Sequence, residues 1–166
     1  IASLSIDGAD TGGNDGDTLS ISGTSGPDTV LFTSLSGTSA NVGSAHGGPS
    51  IGVTNWNSAA GGITIDGAGN ADQLQVNGSS AGDALGASQS GATTSITQSV
   101  GGNTWVPVDV TGFVSIQIDG SAGDDTLTVT NSTGLVLPNS SGIDFAGGTG
   151  SDTLRLEGTT AVDSSV

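Results

Sequence analysis

Cysteine, methionine, tyrosine and lysine are absent from this chain of 166 residues, and arginine occurs once, at Arg155. Without cysteine there are no disulfides, no zinc–thiolate sites and no thiol nucleophile, but the compartment stays open. Without lysine there is no Schiff-base chemistry and no lysine isopeptide crosslink. Sixteen acidic residues against one basic residue leave a net charge of -15. A surface of that sign repels nucleic-acid phosphates and anionic membranes alike. No apolar run approaches the ~20 residues of a membrane-spanning helix, so membrane insertion is not expected. The missing methionine predicts a processed chain or a segment of a longer protein.

What is present is glycine, 30 residues of it, with aspartate and β-branched residues. Few aromatics and much glycine are marks of disorder. A mean hydropathy of +0.06 and alternating Val, Ile and Leu argue for a packed chain instead. Self-comparison then sets the architecture. Ser5-Ile6-Asp7-Gly8 returns as Thr64-Ile65-Asp66-Gly67 and as Gln117-Ile118-Asp119-Gly120. Each copy leads into a Gly/Asn/Asp-rich turn and an alternating strand: Asp17–Ser22, Asp72–Asn77 and Asp125–Thr130. A fourth strand, Asp152–Glu157, follows the third after 27 residues, about half of the longer steps. The long modules therefore read as two coils each, with intermediate turns at Gly47-Gly48-Pro49 and Gly101-Gly102-Asn103. One domain covers 1–166, with modules at about 1–62, 63–115 and 116–166.

Strand side chains alternate with period two. Leu19 and Ile21, Leu74 and Val76, Leu127 and Val129, and Leu154 and Leu156 are expected to face inward. Thr126 and Thr128 and their counterparts face outward. No stretch keeps helical spacing, because Gly and Ser interrupt each one. The expected fold is all-β: a right-handed parallel β-solenoid of Gly/Asp-turn repeats. The alternative is an antiparallel β-sandwich, which the long stretches at 31–62 and 84–115 keep open.

Residues 147–155, Gly-Gly-Thr-Gly-Ser-Asp-Thr-Leu-Arg, match the nonapeptide G-G-x-G-x-D-x-U-x at every specified position. Here the chain resembles the hemolysin-type (repeats-in-toxin) calcium-binding proteins and the large repetitive bacterial surface proteins that carry such repeats. Residues 120–128 depart at the second glycine, 12–20 at the fourth position, and Gly23–Leu31 at the second. Gly67–Gln75 and Gly78–Gly86 are weaker copies that keep Gly first and Leu eighth. The resemblance implies calcium. Glycines allow tight turns that aim carbonyls inward, aspartate supplies charge, and a hard cation takes 6–8 oxygens. Asp125 and Asp152 are the leading ligands, one coil apart, with Asp124 secondary; Asp17, Asp28 and Asp72 occupy the other copies. The motifs are scattered instead of running back to back, and Gly and Asp also shape solvated turns with no ion.

No catalytic residue is assigned. A glycosidase needs a unique carboxylate pair at controlled separation, whereas these acids recur in repeated turns. His46 stands alone, and Trp56 and Trp105 read as packing residues. The expected role is structural, not enzymatic: an extracellular or cell-surface repeat protein, part of a filament or surface layer. The expected partner is another copy, joined end to end, or further repeats of a parent chain. An adhesin module binding a surface or glycan is the alternative, and a secreted carbohydrate-active β-helix enzyme the third reading.

Overall fold

The computed structural model describes residues 3–7, 18–36, 39–44, 50–54, 62–104, 107–131 and 142–158. Asp17, His46, Trp56, Trp105 and the turn at 47–49 lie outside them. The described residues form strands and turns, with no helix among them. In order these are β1 (Ser3–Asp7), β2 (Leu19–Ser22), β3 (Thr29–Ser36), β4 (Ser39–Ser44) and β5 (Ser50–Thr54). Then come β6 (Ile63–Asp66), β7 (Asp72–Asn77), β8 (Asp83–Ser90), β9 (Thr93–Val100) and β10 (Asn103–Thr104). The last are β11 (Val108–Thr111), β12 (Phe113–Asp119), β13 (Thr126–Asn131), β14 (Ile143–Ala146) and β15 (Thr153–Glu157).

The fold is all-β, with two mixed sheets. One has the order β1-β5-β4-β3-β7-β12-β14; the other has β15-β13-β8-β9-β11-β6-β2, with β10 on β9. Parallel runs dominate: β3, β7, β12 and β14 in the first sheet, and β2, β6 and β11, then β8, β13 and β15, in the second. Only β4 and β9 run against the common direction. They are the middle strands of two antiparallel excursions, β3–β4–β5 and β8–β9–β11. These account for the long modules. Gly101-Gly102, read from sequence as a coil turn, is instead the bend between antiparallel β9 and β10, with φ of 56° and 82°.

The path between sheets is oblique. Counted from the β1 and β2 ends, β7 and β8 are both fifth, β12 and β13 both sixth, and β14 and β15 both seventh. At the opposite edge, β2 leads to β3, β6 to β7, and β11 to β12, each three places further along. Three strand spacings are ~14 Å, so the strands of one sheet run askew to those of the other.

The core lies between the sheets, as the alternation requires. Ile63, Ile65, Leu74, Val76, Ile116, Ile118 and Leu127 are buried, and Phe32 and Phe113 join them. Leu19 and Ile21 are only partly buried against it. Leu154 and Leu156 depart from the expectation. They stand in register with Leu127 and Val129, yet are 53% and 69% exposed. β15 is the last strand of its sheet, so the inward row continues past the layer that covers it.

Candidate functional site

The crossings place the acidic turns on two opposite edges. Turns 78–83, 120–125 and 147–152 lead from the first sheet to the second; turns 23–28 and 67–72 lead back. The candidate set is therefore divided. Asp124, Asp125 and Asp152 share one edge, and Asp28 and Asp72 the other. The first edge also holds Asp83, which sequence reasoning passed over. Its signal was available: Asp83 follows Gly78 by five residues, as Asp125 follows Gly120 and Asp152 follows Gly147.

That spacing has a local cause. The aspartate folds back over the first glycine of its own turn, beneath the glycine carbonyl of the next. A Cβ on Gly120 would lie 2.5 Å from Asp125 Oδ2 and 2.6 Å from the Gly147 oxygen. At Gly78 the corresponding atoms are Asp83 Oδ2 at 2.6 Å and the Gly120 oxygen at 2.5 Å. Glycine is required there because oxygen atoms occupy the side-chain position.

Successive turns are tied by their aspartates. Asp83 N–H donates to Asp125 Oδ1 at 2.7 Å, and Asp125 N–H to Asp152 Oδ1 at 3.0 Å. On the other edge Asp28 N–H donates to Asp72 Oδ1 at 2.7 Å. Asp124 takes part by a parallel route, its Oδ1 accepting from Ser151 N–H at 2.9 Å. Backbone bonds run beside these, from Gly78 N–H to the Asp119 oxygen (2.7 Å) and from Gly120 N–H to the Ala146 oxygen (2.8 Å). Within their own turns, Asp83 accepts from Ser79 N–H at 2.6 Å, and Asp28 accepts from Thr24 N–H at 2.5 Å.

Asp72, Asp83 and Asp125 are fully buried. Among the described residues, Asp72 Oδ2 and Asp125 Oδ2 have no hydrogen-bond partner. Burial without a donor disfavours the charged form. The Asp125 carboxyl is accordingly pushed above the usual carboxylate range, first by desolvation and then by the charges of Asp83, Asp152 and Asp124; the Asp83 amide works against them.

The donor set is all oxygen, as a hard cation prefers. Its arrangement is a ladder, not a cage. No group of three or more acidic or histidine side chains converges on one point among the described residues. A cation at either edge would draw on one free carboxylate oxygen, Asp125 Oδ2 or Asp72 Oδ2, with glycine carbonyls beside it. The described aromatics, Phe32, Phe113 and Phe145, lie in or against the core and form no sugar platform. No protein-family model, curated protein or solved structure matches this chain.

Proposed function

We propose that the chain is a structural module of a bacterial extracellular or cell-surface repeat protein, stabilised by calcium at its Gly/Asp turns. On this reading its parallel strand runs form a short right-handed solenoid-like stack, interrupted by two hairpin excursions, and its work is mechanical, not catalytic. One observation carries the reading. The aspartates stack turn on turn, and two of them hold a buried oxygen that no donor satisfies. An ion bound only by the folded state would satisfy that oxygen and add stability by mass action. The resemblance to the hemolysin-type calcium-binding repeats supports the same ion. The scarcity of basic residues suits exposure to proteases, since a trypsin-like enzyme has only Arg155 to cut after.

The test pairs calorimetric titration of the chelator-stripped chain with melting curves in calcium and in chelator. Calcium uptake with a raised melting temperature is the expected result. No uptake and superimposable curves would remove calcium from the proposal. Protease shaving of source cells addresses the location: loss of the chain from intact cells supports the surface, and full protection opposes it.

A glycan-binding adhesin is the second reading. The observation in its favour is a polar hollow on the outer face of the first sheet, lined by Gln73, Gln75, Ser115, Gln117 and Asp144. Glycan-array binding that disappears on Gln75→Ala and Gln117→Ala would favour it.

A further inference from the structure

The two ends of the sheet pair present the same unit. At one end β14 and β15 are the outermost strands; at the other, β1 and β2 are outermost in the same two sheets. All four run in the common direction. Their sequences correspond as well. Ile6-Asp7-Gly8 leads to Asp17-Thr18-Leu19-Ser20-Ile21, and Phe145-Ala146-Gly147 leads to Asp152-Thr153-Leu154-Arg155-Leu156.

The apolar rows run out at both ends. Leu85, Leu127 and Leu154 are successive members of one row, and Ala87, Val129 and Leu156 of the next. Leu154 and Leu156 are the exposed large apolar side chains among the described residues. At the far end, Leu19 and Ile21 extend the rows of Ile63 and Ile65 and are only partly buried.

We infer that the β14–β15 end of one chain docks onto the β1–β2 end of a second copy, with β15 parallel to β2, Leu154 beside Leu19 and Leu156 beside Ile21. This rests on the structural reading above and names its contact. Three observations select a second copy in this orientation. Strand direction is preserved, so both sheets continue in parallel across the junction. Two β15 strands meeting about a two-fold axis would be antiparallel, against the pairing of every other outer strand. The register follows from the aspartates. Each internal turn sends its Asp amide to the Asp carboxylate of the next, from Asp83 to Asp125 and from Asp125 to Asp152. Asp152 stands two residues before Leu154, as Asp125 does before Leu127 and as Asp17, outside the described residues, does before Leu19 in sequence, so aligning the leucines aligns the same Asp-Thr-Leu run in both strands. Finally, Arg155 and Glu157 alternate with the leucines along β15 and pair with each other at 2.9 Å, and Leu154 and Leu156 stay 53% and 69% exposed.

A contact between unlike ends does not close, so it propagates. The net charge of -15 per copy opposes it. Salt shortens the screening length from ~10 Å at 0.1 M to ~3 Å at 1 M and should favour growth.

The test is sedimentation velocity and light scattering of the chain over a concentration series in low and high sodium chloride. Mass should rise with concentration and salt, without a plateau at the dimer. The double variant Leu154→Arg, Leu156→Arg should melt like the parent, since both leucines are exposed, and its association constant should fall at least about a hundredfold with two apolar anchors lost. It keeps an intact β1–β2 end, so added to the parent chain it should shorten the assemblies. A parent chain that is monomeric throughout, a closed dimer, or a variant that assembles like the parent would overturn the inference. Calcium-dependent melting of the same monomer is read separately and judges the structural proposal on its own.

Discussion

The backbone amide of Asp125 donates to the carboxylate of Asp152 at 3.0 Å, across 27 residues of sequence. The same bond joins Asp83 to Asp125 across 42 residues and Asp28 to Asp72 across 44. Unequal loops thus return the chain to one geometry. One carboxylate oxygen holds the neighbouring turn; in Asp125 and Asp72 the other is buried without a donor. That division leads to a crossed prediction for Asp125→Asn. The amide oxygen keeps the bond to Asp83, and the amide nitrogen, a donor, replaces the unpartnered oxygen, which lies over Gly120 as the Gly147 carbonyl does. In chelator the variant should melt at or above the parent. In calcium the parent should gain more than the variant and overtake it. Parallel shifts of both proteins would show that the ion does not use Asp125.

The raised Asp125 carboxyl sets the direction of a pH effect in chelator. A folded group that holds its proton more tightly than the unfolded chain adds stability below the unfolded value, and that stability is lost as pH rises through the folded value. Denaturant midpoints should therefore fall as pH rises from the ordinary aspartate range through the raised one. Asp125→Asn should flatten that slope. A slope unchanged by the substitution would assign it to the other acids.

Two glycines should respond oppositely to alanine. At Gly120 the new Cβ meets a carboxylate and the Gly147 carbonyl, and the backbone there is held by the bond to Ala146. Gly120→Ala should cost about 1–3 kcal/mol, the range for forcing a methyl into filled space. At Gly62 no atom of the described residues lies within 4 Å of the corresponding position. Gly62→Ala should be neutral or stabilise by up to about 1 kcal/mol through the unfolded chain. Urea denaturation of both variants decides it.

The strands with contrast between their faces were legible from sequence. Leu74 and Val76 alternate with Gln73 and Gln75, and Leu127 and Val129 with threonines; all four apolar residues are buried. The hairpin β8–β9 was not, because its faces carry little contrast. β8 presents Ala84, Gly86 and Ser88 outward, while β9 buries Thr94 and Gln98. Gln98 is buried with neither amide atom partnered, so hydrophobic patterning gives no signal for it. The aspartate ladder was half legible. Gly and Asp at fixed spacing marked the turns, but which turns share an edge depends on the crossings, and these depend on the hairpins. The exposure of Leu154 was invisible for a related reason, since alternation assigns a face and not the layer at which the core ends.

The row Leu85–Leu127–Leu154 offers the most direct test of where that core ends. The three side chains are chemically identical, adjacent in register and on one face. Leu85 and Leu127 are buried, while Leu154 is half exposed. Replacing a buried leucine by alanine removes its transfer energy and leaves a cavity, roughly 2–5 kcal/mol together. Leu85→Ala and Leu127→Ala should fall in that range. Leu154→Ala, measured at dilution where any assembly is dissociated, should stay within about 0.5 kcal/mol, as surface changes do. Thr128→Ala, on the outward face between Leu127 and Val129, should cost less than half as much as Leu127→Ala. Chemical denaturation of the four variants under one condition supplies the ranking. A Leu154 cost equal to that of Leu127 would mean that another part of the monomer covers the end strand. Equal costs for Leu127 and Thr128 would mean that the face assignment of β13 is wrong.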